Sequence, residues 1–342
     1  MWNQIIKETE RIAIENEFSG VISITQESKT VYQKAFGYAD IANKRKNRVD
    51  TVFGTASGTK LFTALAIGKL IEQGKLSLED KAFEIIEYDF PKYSNEVTVE
   101  HLLTHTSGIP DYYPDDECDG EKAPKIACSW SELIEPEDYL PIMREDEMMF
   151  KPGEGFFYNN SAFILLAYIV AKISGKRYSD FVRDEILLPC GMEKSGFFSF
   201  DRLPANTANG YIKTGDTFRT NIYDLPPIGG GDGGMYTTAQ DLVKFWDCLL
   251  SYKILSKETT EIFIQDKVEA VGEGEDNFYG YGIWVKKKDG TVSEYITGFD
   301  MGVSFNSQIS RDKKIIVSIL SNKSSGTWPL ATYFEKEIFF KS

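Results

Sequence analysis

One stretch, Ser57 to Gly74, constrains the fold of this chain more than any other. Its apolar residues Leu61, Ala64, Leu65, Ile67, Leu70 and Ile71 recur at helical spacing. They cover so much of the circumference that the helix belongs largely inside the molecule. Gly74 suits its C-terminal cap. A second strongly apolar helix is predicted from Ser161 to Gly175. Two interior helices need other layers packed around them. A chain of 342 residues is long enough to supply those layers, at about two domains or subdomains.

The flanking sequence says what the layers are. The first twenty residues read as an amphipathic helix with Ile5, Ile6, Ile12 and Ala13 toward one side. Gly20 to Thr25 and Thr30 to Phe36 read as two strands across a turn at Gln26 to Lys29. A mostly helical stretch follows Gly74, to about residue 200. In the last third, Tyr281 to Val285, Val303 to Asn306 and Lys314 to Leu320 look extended, and a helix from about Thr327 to Phe340 ends the chain. This is an α+β chain: one discontinuous domain, with sheet material at about 1–85 and 205–342 and an α-rich subdomain at about 86–204. Inside the latter, 111–147 is markedly acidic. It reads as a solvated surface excursion, with a lid or substrate-selecting flap as the functional alternative.

Composition removes several kinds of function. The chain has 52 acidic and 38 basic side chains, a net charge of −14. That opposes binding to nucleic acid, whose phosphates require Lys and Arg, and to anionic membranes. No run approaches the ~20 apolar residues of a membrane span. The start of the chain lacks the apolar stretch of a signal peptide, so a cytoplasmic location is expected. Cys118, Cys128, Cys190 and Cys248 form no CxxC pattern; Cys118 and Cys128 could close a small loop in an oxidising compartment, and in a cytosolic protein they are expected as free thiols.

There are only two histidines. His101 and His105 stand at i, i+4, the spacing of two metal ligands on a helix. Leu102, however, occupies the position where the zinc-protease motif needs Glu. Both are read as structural, and no metal or cofactor is expected. A Ser-His-Asp triad would have to use one of them, and Ser57 lies in no GxSxG elbow.

Ser57 supports a different chemistry. Lys60 follows three residues on, so Ser Oγ and Lys Nζ share one face of the helix's first turn. The helix start offers free N–H groups and a positive dipole end, which favour a developing alkoxide or oxyanion. A lysine desolvated there, near other positive potential, would have its pKa lowered from ~10.4 toward neutrality and could take the serine proton. About a hundred residues later, Tyr158-Asn159-Asn160 opens the second apolar helix. Tyr158 can share a proton with Lys60, and Asn160 can hold Lys60 or a substrate amide.

With these elements stand Leu76-Ser77-Leu78-Glu79-Asp80-Lys81, the segment Val99 to Pro110 with both histidines, Phe150-Lys151-Pro152-Gly153, and Gly233 to Leu242. As an ordered set they resemble the serine β-lactamase/penicillin-binding-protein superfamily, in the branch of class C β-lactamases, D-alanyl-D-alanine carboxypeptidases and esterases. The resemblance spans most of the chain. It implies a β-lactamase/transpeptidase-like fold, an antiparallel sheet flanked by helices plus an α-rich subdomain with the site between. It implies a serine hydrolase acting through an acyl-enzyme on a small-molecule or peptide substrate: an ester, an amide, a D-amino-acid peptide or a β-lactam. Ser57 would be the nucleophile, Lys60 and Tyr158 the proton-transfer groups, and Asn160 the residue that orients them and the substrate. The family's third motif, Lys-Thr-Gly or His-x-Gly, is best matched by Ile296-Thr297-Gly298 along the substrate's edge. The oxyanion hole would be the backbone N–H groups of Ser57 and Phe299. Ile296 departs from the family by putting an aliphatic side chain where relatives carry a cation or imidazole. Weakened recognition of carboxylate-bearing substrates is expected. The alternative is a penicillin-binding or sensory protein that keeps the fold with little or no turnover. The resemblance implies that Gly229 to Gly234 is an active-site wall; a phosphate cradle is the weaker reading, because no Walker Lys-Ser/Thr follows.

Overall fold

The computed structural model of the protein describes residues 2–113, 125–143 and 146–341. Isoleucine and valine near both ends of the chain build its main sheet. The eight strands are β1 (Gly20–Gln26), β2 (Lys29–Phe36), β3 (Val268–Glu269), β4 (Asn277–Tyr279), β5 (Trp284–Lys288), β6 (Thr291–Asp300), β7 (Val303–Ser310) and β8 (Ile315–Ser321). Their order is β2-β1-β8-β7-β6-β5-β4-β3, antiparallel throughout. β1 pairs with β8 from Gly20↔Ser321 to Gln26↔Ile315, so the two ends of the chain meet in the sheet.

Side chains alternate between the two faces. Ile22 and Ile24 of β1 and Val317 and Ile319 of β8 pack outward, in one core with helices α1 (Trp2–Glu15) and, at the end of the chain, Thr327–Phe334. Val21, Ile316 and Leu320 face the other way, into the main core. That core holds α2 (Lys60–Glu72), α3 (Asn160–Ser174) and α4 (Ala239–Leu250). α2 is buried along most of its length, as its apolar circumference requires.

Details differ from the sequence expectation where the backbone must bend toward the cleft. The first turn of the Ser57 helix is a separate 3₁₀ turn, Ala56–Thr59. β5 begins at Trp284 and not at Tyr281, because Gly282 takes φ +73°, and a Cβ there would lie 2.6 Å from the Lys60 carbonyl oxygen. The closing helix passes into a π turn, Glu335–Phe339. β5 pairs with β6 only as far as Tyr295, whereas β7 pairs with it to Asp300. Residues 296–300 therefore have no sheet partner on the β5 side, and the cleft opens along that edge. No helix among the described residues is long and apolar enough to cross a membrane.

Candidate active site

Two threonines fix the turn that carries Ser57. Thr55 donates to the Met235 carbonyl through both its backbone N–H (2.8 Å) and its hydroxyl (2.9 Å). The Thr59 hydroxyl donates to the Ala56 carbonyl (2.7 Å) and accepts the Met235 N–H (3.0 Å). Between them Ala56 is held at φ +46°, a conformation costly for a residue with a Cβ. The turn leaves Ser57 half-buried at the cleft wall while Ala56, Gly58 and Thr59 are buried.

Lys60 is 1% exposed, and its Nζ reaches three acceptors: Ser57 Oγ at 3.1 Å, Asn160 Oδ1 at 2.7 Å and the Asp232 carbonyl oxygen at 2.7 Å. An ammonium has three hydrogens to donate and so matches this set. Burial alone would push its pKa down. The neighbouring Tyr158 oxygen and the Asp232 and Asp111 carboxylates outweigh burial, and the net direction is up. The sequence expectation of a depressed lysine is thereby reversed: its electrostatic neighbours are acidic groups, not positive ones.

Asn160 begins α3. The helix is capped twice: Asn159 Oδ1 accepts the Ala162 N–H (2.7 Å), and Asp111 accepts the backbone N–H groups of Asn160 (2.8 Å) and Ser161 (3.0 Å). Asp111 also accepts from Asn160 Nδ2 (3.0 Å), which turns the amide oxygen toward Lys60. Asp111 is thus bound into the site, at the start of the stretch expected to be a solvated excursion. Tyr112, Tyr113, Trp130 and Tyr139 of the same stretch line the cleft. Those four residues of the excursion are cleft wall, while Glu132, Glu137, Asp138 and Glu147 are exposed; Cys118 and the acidic residues 115–119 lie outside the described residues.

Tyr158 stacks on Trp284 (5.7 Å between centroids, 17° between planes) and packs against His105 at 4.5 Å. Lys60 Nζ lies 4.9 Å from its ring centroid. His105 is buried and accepts the Asn159 N–H at Nδ1 (3.1 Å). Burial and the Lys60 charge hold its pKa well below the usual imidazole value, so it stays neutral. His101 caps the short helix Val99–Leu103 by accepting the Thr98 N–H (3.2 Å). Each histidine thus accepts a backbone N–H at its Nδ1, His101 from Thr98 and His105 from Asn159.

The third motif divides. Thr297, Gly298 and Phe299 line the cleft. A Cβ on Gly298 would fall 2.3 Å from the Thr55 carbonyl oxygen and 2.7 Å from the Ser57 nitrogen, so only glycine lets β6 approach the nucleophile turn this closely. Ile296 is 1% exposed, belongs to the main core and is absent from the cleft lining. The direct substrate contact expected of it is therefore corrected to a packing role. The wall Gly229 to Gly234 has a similar steric origin: a Cβ on Gly231 would lie 2.3 Å from the Phe163 carbonyl oxygen.

The cavity in front of Ser57 has a volume of about 450 Å³ and is walled mainly by aromatic rings and glycines. Asp111, Asp232, Tyr112 and Trp284 were not singled out in the sequence. The one available signal was an aspartate inside a glycine cluster, at Asp232.

This arrangement of sheet, buried Ser57–Lys60 turn and cleft is the serine β-lactamase/transpeptidase fold. The chain belongs to the beta-lactamase family, whose model matches residues 7–337. Among curated proteins, penicillin-binding protein 4* of Bacillus subtilis is 29% identical over 339 residues, covering 93% of this chain and 71% of that one. Among solved structures, a penicillin binding protein from Bacillus halodurans is 37% identical with a TM-score of 0.87, over 96% of this chain and 98% of that one. A D-amino acid amidase from Ochrobactrum anthropi SV3 shares the fold at a TM-score of 0.81 and 22% identity, over 97% of each chain. The family and these neighbours are serine hydrolases.

Proposed function

We propose that the protein is an acyl-enzyme hydrolase of esters or amides with Ser57 as nucleophile. The observation that carries this reading is the Lys60 ammonium, buried and donating at once to Ser57 Oγ, Asn160 Oδ1 and the Asp232 carbonyl. Held so, Lys60 stabilises negative charge on Ser57 Oγ and on the Tyr158 oxygen. Tyr158 accepts the Ser57 proton as the Oγ–carbonyl bond forms, and returns it to the leaving oxygen or nitrogen as that bond breaks. Water then repeats the sequence on the acyl-enzyme, with the proton passing through Tyr158 and back to Ser57. The N–H groups of Ser57 and Phe299 receive the oxyanion; Gly298, packed on the Ser57 nitrogen, brings their two segments together.

The substrate follows from what the cleft lacks. Ile296 is turned into the core, and no lysine or arginine lines the cavity among the described residues. Penicillins and D-Ala-D-Ala termini carry a carboxylate and lose that partner; esters and amides without one are favoured. The amidase neighbour is consistent with amides being within reach of this fold. A panel of nitrocefin, short-chain p-nitrophenyl esters, D-amino-acid amides and D-Ala-D-Ala peptides, run with Ser57→Ala, tests the reading. Ser57-dependent turnover of esters or amides, with nitrocefin poor, is expected. Nitrocefin turnover exceeding that of every ester and amide would refute the substrate class. Labelling of Ser57 without turnover would leave a penicillin-binding protein in place of a hydrolase.

A further inference from the structure

His105 carries no proton to or from Ser57, yet its backbone and side chain are built around the residue that does. It follows the short helix Val99–Leu103 at φ +59°, a conformation uncommon for a residue with a Cβ. It is also buried, a costly place for a polar ring unless its groups are engaged.

Three contacts join His105 to the Tyr158 segment. Its carbonyl oxygen accepts the Phe157 N–H at 2.9 Å, and its Nδ1 accepts the Asn159 N–H at 3.1 Å. Its ring centroid lies 4.5 Å from that of Tyr158. One residue thus holds the backbone on both sides of Tyr158 and packs on the side chain between. Asn160 has a separate anchor, since Asp111 accepts both its backbone N–H and its Nδ2. A change at His105 therefore falls first on Tyr158.

A neutral imidazole meets both requirements of the position. Because Nδ1 accepts, the single ring proton belongs on Nε2. That nitrogen has no hydrogen-bond partner among the described residues. The ring lies among those of Tyr158, Tyr279 (4.6 Å) and Phe163 (5.1 Å), whose faces can receive an N–H. Phenylalanine here would keep a ring and lose the acceptor. Asparagine would keep an acceptor near Nδ1 and lose the ring.

We infer that His105 is the positioning residue for Tyr158, holding its hydroxyl in register with Ser57 through the Asn159 N–H and the ring contact. This rests on the acyl-enzyme reading of Ser57 and adds what sets the geometry of its proton carrier.

The test is a double-mutant cycle on p-nitrophenyl acetate, with rates corrected by Ser57→Ala. His105→Phe should lower kcat/KM by about 100-fold, the cost of displacing a reacting group by about an ångström. His105→Asn, which retains an acceptor and tolerates positive φ, should lose only about 10-fold. Added to Tyr158→Phe, either substitution should cost less than about threefold more, because the hydroxyl it displaces is already gone. Should His105→Phe fail to fold, the cycle is read with His105→Asn. A second readout uses phenyl acetate, which has the poorer leaving group. The loss in the His105 variants should be larger on phenyl acetate, because Tyr158 returns the proton to that group. Wild-type rates in the His105 variants, losses that add to that of Tyr158→Phe, or equal losses on the two esters would overturn the positioning role and leave the hydrolase intact. Absence of Ser57-dependent turnover in the wild type would overturn both.

Discussion

Lys60 is where the chemistry of the site is decided. Its spacing from Ser57 is local and therefore legible: i, i+3 on a helical turn puts the two polar atoms together whatever the rest of the chain does. The sign of its pKa shift is not local. It is set, against burial, by Tyr158, by Asp232, 172 positions away, and by Asp111, which reaches the site through a loop. Sequence spacing could not show those approaches, so a lowered value was expected where the structure gives a raised one. The raised value has a measurable consequence. The ammonium contributes while pH stays below its folded pKa and is lost only as pH rises through that value, above the ordinary ~10.4. The pH–rate profile should show no loss attributable to Lys60 up to about pH 10. A basic limb near pH 8 that disappears in Lys60→Arg would contradict this. Tyr158→Phe should lower kcat/KM by about 10²–10⁴ while leaving Ser57 in place, because it removes the only hydroxyl assigned to carry the proton. A loss under threefold would assign that role elsewhere.

Strand β6 and helix α3 show which parts of an element a sequence reveals. The helix was readable from its apolar period, from the Tyr158-Asn159-Asn160 segment that opens it and from Gly175 at its end; its caps, Asn159 and Asp111, were not, Asp111 because it comes from outside the element. Removing that cap with Asp111→Ala should cost about 0.5–2 kcal/mol in denaturant unfolding and loosen Asn160 from Lys60. Unchanged stability would mean that water replaces the carboxylate without loss. In β6, Thr297 and Gly298 line the cleft, yet alternation turns Ile296 to the core, and only the fold shows which face that is. Gly298→Ala puts a methyl 2.3 Å from the Thr55 carbonyl oxygen. We expect about 1–3 kcal/mol of destabilisation and a larger fall in kcat than in KM, as the oxyanion donors separate. Wild-type kcat in this variant would show that β6 does not set the geometry.

The molecule as a whole joins its two ends in one sheet and hangs the helical middle over one face. That plan was visible because strand and helix periods change along the chain; the eight-strand order was not, since pairing between distant strands leaves no local mark. One consequence concerns stability. Glu294 lies on β6, is 4% exposed, and burial pushes its carboxyl up to about 7 against the opposing pull of Arg311. The folded protein then keeps a proton that the unfolded chain releases near ~4.3, so stability falls as pH rises through the interval between the two values. Glu294→Gln should flatten that fall, losing about 3–4 kcal/mol less than wild type between pH 4 and pH 8 in urea unfolding. Parallel pH profiles for the two proteins would refute it.

The most direct measurement of the proposed chemistry is the intact mass of the protein after brief reaction with a p-nitrophenyl ester and an acid quench. We predict a mass increase equal to one acyl group, located on the peptide containing Ser57 and absent in Ser57→Ala. Release of p-nitrophenol with no covalent adduct on Ser57, or an adduct that persists in Ser57→Ala, would contradict it.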